Sequence, residues 1–377
     1  MSDARIGSDA RIGSDARIGD LDRKAVASRA AARWAERSQA ARAGGVGAAD
    51  PSLANHFAQI TEVGGVRIAT TSDGVGTKVE LAERTRRYDT LGFDLMAMVV
   101  DDLAAAGAVP LSVTNVLDVD HIDADVVEAL MRGLHDAAVV AEVSISGGET
   151  AELGPRIGGF GEGMHFNWSA TAIGWFPPGL QPLTGAALQV GDALLALPSP
   201  GFRSNGLTLA RRVLSDRFGP DWHQATEGDR TADSGESWGA RLLVPSTVYA
   251  AAIVALRGIL GEALTGCAHI TGGGIPNKLG RVLRATGLGA DIDAPLPPPP
   301  DMALLMRWGG VAPADAFRVW NQGHGMIVAV RPEAVAPALG LLRARGHAAQ
   351  VVGVVSAEPG VRITPKGQDT LHFEVQR

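Results

Sequence analysis

Between residues 66 and 176 short β-rich runs alternate with long apolar-periodic ones, and glycine phrases join them. That alternation restricts the chain to strand-and-helix layers, an α/β or α+β fold of mixed sheets with flanking helices. VRIATT (66–71) predicts a strand that leads into SDGVGTK at 72–78. Thr90 to Gly107 predicts a long helix whose Leu91, Leu95, Val99 and Leu103 form a buried stripe. Asp94 and Asp101 lie seven apart on another face, with Asp102 adjacent, all set among Met, Val and Leu. They form either a solvated acidic face or a set matched to something positive, because neighbouring carboxylates repel. LSVTNVLD (111–118) predicts a strand, and 123–141 a helix with Val126, Val127, Leu130, Leu134 and Val139 as its apolar set. VSIS (143–146) predicts a buried strand running into SGGETAE (146–152), and FNWSATAIGWF (166–176) a further strand. Pro177-Pro178 then marks a domain boundary.

The 377 residues suffice for two domains of ordinary size. The expected division is 1–50 as tail, helix and glycine loop, 51–177 as an N-terminal domain and 178–377 as a C-terminal one. SDARIG occurs three times in tandem within the first 19 residues, too short a period for a solenoid. It reads as a flexible tail, followed by an Ala/Arg-rich helix at 20–42 and a mobile glycine loop at 43–52. In the second half, 190–199 predicts a strand and 204–214 a helix with Ser204 or Asn205 as its N-cap. The polar stretch 220–240 predicts a loop, and 246–264 a helix. CAHITGGGIPNKLGR (267–281) predicts a strand, a glycine turn and a short helix, and PLPPPP (295–300) a stiff connector. A strand entered from WNQGHGMIVAV (320–330), a helix at 332–345 and strands at 348–355 and 360–364 complete the domain.

Net charge is −7 with no basic stripe, which argues against nucleic-acid binding. No apolar run approaches the roughly 20 residues needed to span a bilayer, and the N-terminus lacks the apolar core of a signal peptide. A soluble cytoplasmic protein without membrane partners is the expectation. Cys267 is the only cysteine, so no intramolecular disulfide or multi-cysteine zinc site is possible. Its apolar setting predicts a buried structural thiol.

The chemistry sits in the glycine phrases. An aspartate beside glycines brings a carboxylate and bare backbone N–H groups to one polyphosphate. Lys78, Asp101, Asp102, Glu149 and Glu152 supply charge for phosphate or for magnesium, which needs only one or two carboxylates besides phosphate oxygens and waters. ATP chemistry is therefore the first reading, although glycines beside an aspartate, as in SDGVGTK alone, more often make an ordinary turn. It is neither a Walker A loop nor a dinucleotide fingerprint. SNG (204–206) and TGGG (271–274) enter helices, whose N-termini favour anions, and two such turns could hold a substrate phosphate or simply cap. Arg203 could pair with that phosphate, and His269 is either a proton carrier or a core histidine.

Taken in order, SDGVGTK, YDTLGFDLMAMVVDDL, GAVPL, SGGETAE, SNGLTLAR, AHITGGG and GHGM resemble the phosphoribosylformylglycinamidine cyclo-ligase family, the aminoimidazole ribonucleotide synthetases, over about residues 55–355. The resemblance implies a two-domain subunit, homodimeric through its N-terminal domains, with ATP bound near that interface. It implies conversion of formylglycinamidine ribonucleotide to aminoimidazole ribonucleotide through an iminophosphate, with ATP and Mg2+, in purine biosynthesis. It implies Asp73, Asp102 and Glu149 as metal ligands, and Gly74, Gly76, Thr77, Lys78 and Gly148 around the nucleotide. Ser204, Asn205, Gly206, Gly272, Gly273 and Gly274, with Arg203, would face the phosphorylated ribonucleotide, and Lys78 and His269 would serve catalysis. Relatives usually carry His at the place of Arg203, an Asp-Tyr pair and a Lys within the stretch here reading Asn115, Val116 to His121, and Asp at Asn167. These departures leave open an alternative, a paralogue that phosphorylates or cyclises another small acceptor.

Overall fold

The computed structural model describes residues 26–27, 30–31, 33–41, 56–228 and 235–375, with helical backbone at 33–40. The SDARIG repeats and the 43–52 glycine loop lie outside the described residues. The first sheet contains β1 (Gln59–Val63), β2 (Val66–Gly74), β3 (Val109–Val119), β4 (Ser144–Glu152) and β5 (Phe166–Trp175) in the order β1-β2-β5-β3-β4. Only β3 and β4 run parallel; the other neighbours are antiparallel. Its helices are α1 (Val79–Thr85), α2 (Leu91–Ala105) and α3 (Ala124–Ala141).

The second sheet comprises β6 (Ala193–Pro198), β7 (Leu264–His269), β8 (Gly289–Ile292), β9 (His324–Val330), β10 (Gln350–Ser356), β11 (Gly360–Ile363) and β12 (Leu371–Phe373). Their order is β12-β11-β8-β10-β6-β9-β7. Around it lie α4 (Leu207–Phe218), α5 (Trp238–Leu242), α6 (Ala250–Leu260), α7 (Gly274–Leu283), α8 (Pro300–Trp308), α9 (Pro313–Val319) and α10 (Val335–Ala344).

Helix α2 organises both halves. It packs on β2, β3, β5 and α3 on one side and on α6 and β7 of the second half on the other. The apolar stripe that periodicity predicts is therefore only part of its buried surface, and Asp94 and Asp101 are wholly buried with it. A helix apolar nearly all round belongs in an interior, and this one keeps its carboxylates there. Five shorter elements, α1, β1, α5, β8 and β12, escaped the sequence patterns, as did α8 and α9. The expected proline connector also gives way, because Pro300 supplies the first turn of α8, where a missing N–H costs nothing.

The expectation of a buried strand at 143–146 is corrected. β4 is an edge strand, and Ile145, Gly148 and Glu149 are exposed. One face of the first sheet is covered by helices. The opposite face, carrying Leu111, Val116 and Ile173, is open in the single chain.

Helices α2 and α3 meet closely. A Cβ on Gly133 would fall 1.9 Å from the Asp89 carbonyl oxygen, and one on Gly92 would fall 2.1 Å from the Gly133 carbonyl carbon. Gly340, in α10, has open space around it. Gly133→Ala should cost about 2–4 kcal/mol through overpacking. Gly340→Ala should be neutral or stabilise by up to about 1 kcal/mol through helix propensity. Urea unfolding midpoints measured side by side would check both.

Candidate active site

The three α2 carboxylates are used differently. Asp94 Oδ1 accepts from Lys78 Nζ at 2.8 Å and from Ser246 Oγ at 2.5 Å, and Lys78 also donates to the Val244 carbonyl at 2.6 Å. Both members of the ion pair have fully buried side chains. Burial pulls the Lys78 ammonium below its usual range, and Asp94 opposes that shift. The expectation that Lys78 faces phosphate is thus corrected. Its charge is consumed in joining the turn after β2 to α2 and to the second half.

Asp101 Oδ1 accepts from the backbone N–H groups of Tyr249 and Ala250 at the start of α6, at 2.8 and 2.9 Å. A carboxylate at a helix N-terminus is favoured by the dipole and by the free N–H groups. Asp101 Oδ2 accepts from Arg203 Nη2 at 3.0 Å, and Arg203 Nη1 donates to the Thr247 carbonyl at 2.9 Å. Arg203 is 2% exposed and adopts a left-handed φ of 58°, held there by these contacts. It too is committed internally rather than open to a substrate phosphate.

His269, at the end of β7, connects this pair to Asp102. Arg203 Nη2 lies 2.7 Å from His269 Nε2, and His269 Nδ1 lies 2.7 Å from Asp102 Oδ1. A guanidinium can only donate, so Nε2 accepts and the ring proton sits on Nδ1, from which it is given to Asp102. Burial pulls His269 well below its usual pKa, with Arg203 adding to the effect, so the ring is neutral. Both nitrogens are occupied and the side chain is fully buried. The expected proton carrier is here a positioning group that orients Asp102.

Asp102 retains a partly exposed side chain. Burial pushes its carboxyl up to about 7, against the pull of Lys278, Arg281 and Arg203. Asp73, at the end of β2, is raised by burial and by Asp102, while its Oδ1 accepts from Gly74 N–H at 2.7 Å. Gly76 beyond it has φ of 66°, and Gly76 and Thr77 are exposed in the turn that follows.

Lys278 and Arg281, one turn apart on α7, lie within electrostatic reach of Asp102, and Lys278 also of Asp73. Burial and Arg281 lower Lys278 to about 8. Sequence reading missed both cations. The signal was present in TGGGIPNKLGR, where they follow a glycine turn by one and two helical turns.

The two glycine turns converge on the same place. Asn205 Nδ2 lies 3.8 Å from Met98 Sδ, and Met98 and Asp102 share one face of α2. A Cβ on Gly272 would lie 2.9 Å from Asn205 Oδ1. The expected Ser204 or Asn205 cap is corrected: Gly206 and Gly273 are the N-caps of α4 and α7, without side-chain caps. Free N–H groups remain at both helix starts, where anions are favoured. Glycine is required sterically at two of these positions, since a Cβ on Gly206 would strike Trp320 at 2.3 Å and one on Gly274 the Phe317 carbonyl oxygen at 1.9 Å. Ser204 Oγ is buried without a partner among the described residues.

Glu149 and Gly148 stand apart from this cluster. Asp73 pairs with Ala170, Ala170 with Asn115 and Asn115 with Gly148, a row facing the helices. Glu149 belongs to the next row, with Val116, Ser169 and Gly74, and alternation turns it to the open face. Three strand spacings, about 14 Å, further separate it from β2. Among the described residues no three His, Cys, Asp or Glu groups are arranged to hold a metal. Within the single chain Asp73 and Asp102 lie together and Glu149 does not join them. Two neighbouring carboxylates, Asp73 exposed and Asp102 partly buried, fit magnesium that arrives with its own phosphate oxygens. Of the departures, Asn115 is structural, its Oδ1 accepting from Trp168 Nε1 at 3.0 Å, while His121 is exposed beside Asp120.

Removing the cation from either buried pair leaves a carboxylate uncompensated. Lys78→Met and Arg203→Met should each lower stability by about 3–5 kcal/mol, and adding Asp94→Leu to Lys78→Met should recover most of the loss, all read from urea unfolding. Asp102 has the opposite sense. With its folded pKa raised from 3.8 to about 7, the stability held by the neutral form is complete below the ordinary value and lost as pH rises through about 7. Asp102→Asn should therefore raise the urea midpoint of the ligand-free protein near pH 8 and change it less near pH 5.

Two family models match the chain: AIR synthase related protein, N-terminal domain, over residues 56–175, and AIR synthase related protein, C-terminal domain, over residues 189–366. The chain is 37% identical over 312 residues to a phosphoribosylformylglycinamidine cyclo-ligase of Thermococcus kodakarensis, covering 83% of this chain and 86% of that one. It is 38% identical over 289 residues to the Sorangium cellulosum protein of the same name, covering 76% and 80%. A solved chain of the HypE–HypF complex shares the fold, with a TM-score of 0.60 and 18% identity over 85% of this chain and 93% of that one. Identity sustained over most of both chains, with family models matching both halves, places this chain in the phosphoribosylformylglycinamidine cyclo-ligase family of AIR synthase related proteins.

Proposed function

We propose that this protein binds ATP with magnesium in the cleft beside α2 and converts formylglycinamidine ribonucleotide to aminoimidazole ribonucleotide, ADP and phosphate. The observation that carries the reading is the meeting of Asp73, Asp102 and two uncapped helix starts in a chain 37% identical to a named cyclo-ligase over most of its length. Bound magnesium would be held by Asp73 and Asp102 and would offset charge on the transferred phosphoryl group.

The chemistry asks for positioning more than for a nucleophile. The formyl-amide oxygen attacks the γ-phosphorus, the bond to ADP breaks, and an iminophosphate forms. The amidine nitrogen then attacks the former formyl carbon, the carbon–oxygen bond breaks, phosphate leaves, and loss of a proton gives the aromatic imidazole. The residues needed are those that hold two anionic groups close together. The N–H groups at the starts of α4 and α7, with Ser204 and Asn205, are suited to the substrate phosphate. Gly74, Gly76 and Thr77 are suited to the nucleotide side. His269 holds Asp102 in place.

A division into an N-terminal nucleotide domain and a C-terminal substrate domain near Pro177-Pro178 accompanies this reading. So does a homodimer, supported by the open sheet face with Leu111 46% and Val116 42% exposed, since an apolar sheet face is normally covered. Glu149 stands on that face. No described helix is long and apolar enough to cross a membrane. A cytoplasmic location fits the substrates.

The test is ADP release with Mg–ATP, with and without formylglycinamidine ribonucleotide, alongside detection of the imidazole product. One ADP per product is expected, and ATP turnover indifferent to that substrate would overturn the assignment. Asp73→Asn should lower turnover about 100-fold or more while leaving the unfolding midpoint near that of the parent.

A further inference from the structure

Lys278 and Arg281 are the cations of this site that no hydrogen bond or ion pair among the described residues consumes, and Lys278 is the one that acts on both carboxylates. Lys78 is spent on Asp94 and Arg203 on Asp101. Lys278 is 9% exposed, yet among the described residues it makes no hydrogen bond or ion pair. Its ammonium lies 6.0 Å from the Phe57 ring centroid, with the Arg281 guanidinium 5.6 Å from the same ring. An ammonium held out of water beside another cation persists only when negative charge faces it. Here that charge is Asp73 and Asp102, whose carboxylates also act on each other. The start of α7 opens onto the same space without a side-chain cap.

Resting on the nucleotide reading above, we infer that Lys278 is a resident counter-cation for the Asp73–Asp102 pair, which keeps free divalent metal out until it arrives with a polyphosphate. In the ligand-free site two carboxylates lie within electrostatic reach of two cations, so a lone divalent ion adds uncompensated positive charge there. A metal–triphosphate complex carries net negative charge. It satisfies the carboxylates through its metal and leaves Lys278 and Arg281 for its phosphate oxygens. Lys278 thus sets the order of assembly as well as nucleotide affinity, a role that a purely structural lysine would not have.

The two consequences have opposite signs, which makes the inference testable by binding alone. Mn2+ binding would be followed by the electron paramagnetic resonance of the free ion, without nucleotide and with a non-hydrolysable ATP analogue. The proteins compared would be the parent, Lys278→Met, Lys278→Arg and Lys278→Met combined with Asp73→Asn. Lys278→Met should bind Mn2+ alone about tenfold more tightly and the Mn2+–analogue complex about tenfold more weakly, since one unit charge near the ions is removed. Lys278→Arg should resemble the parent, and the gain for Mn2+ alone should vanish with Asp73→Asn. Unchanged Mn2+ affinity in Lys278→Met, with a native unfolding midpoint, overturns the inference whatever the nucleotide does. Failure of the parent itself to bind the analogue would instead remove the nucleotide reading, while the Mn2+-only comparison still decides whether Lys278 opposes the metal. If Lys278→Met does not fold, Lys278→Gln makes the same comparison.

Discussion

The structure depends on compensating the charge buried along α2. Three carboxylates leave one helix within nine residues, and two of them lose all contact with water. Each of those two must find a cation or a set of N–H groups, because an uncompensated buried carboxylate would cost several kcal/mol. Asp94 takes Lys78 and Ser246; Asp101 takes Arg203 and the start of α6. Apart from Lys78, these partners come from segments that the chain reaches far later. The two halves are consequently registered against each other by ion pairs as well as by apolar packing.

The same burial sets up the chemistry one residue further on. Asp102 sits where α2 emerges toward the glycine turns, and it is neither fully compensated nor fully hydrated. His269 fixes its orientation because Arg203 has already chosen the tautomer of the imidazole. Structure and site therefore form one connected chain, Asp101–Arg203–His269–Asp102. Stability at one end becomes geometry at the other, so Asp102 inherits the rigidity of the core.

Much of this was legible in the residues. The alternation from 66 to 176, the long helix over 90–107 and the strand–turn–helix units at 204 and 267 follow from spacing, because a helix or strand shows its own period wherever it lies. The glycines of SNG and TGGG marked helix starts correctly, and the structure adds why they cannot be replaced: Trp320 and the Phe317 carbonyl occupy the space of a Cβ. Lys78, His269 and Glu149 are placed otherwise than their phrases suggest. Each has the right residue type in the right phrase. The first two face inward and the third faces the opposite side of the sheet, and no local pattern distinguishes those directions.

The sequence by itself determined the elements, their order and the family, because propensity, periodicity and identity are properties of neighbouring residues or of aligned ones. Only the tertiary structure decided which charges remain free for a ligand. Asp101 and Arg203 are 102 residues apart, His269 and Asp102 are 167 apart, and Asp94 and Ser246 are 152 apart. Electrostatic compensation acts through space, so the cations left over, Lys278 and Arg281, could be identified only once Lys78 and Arg203 had been seen to be paired.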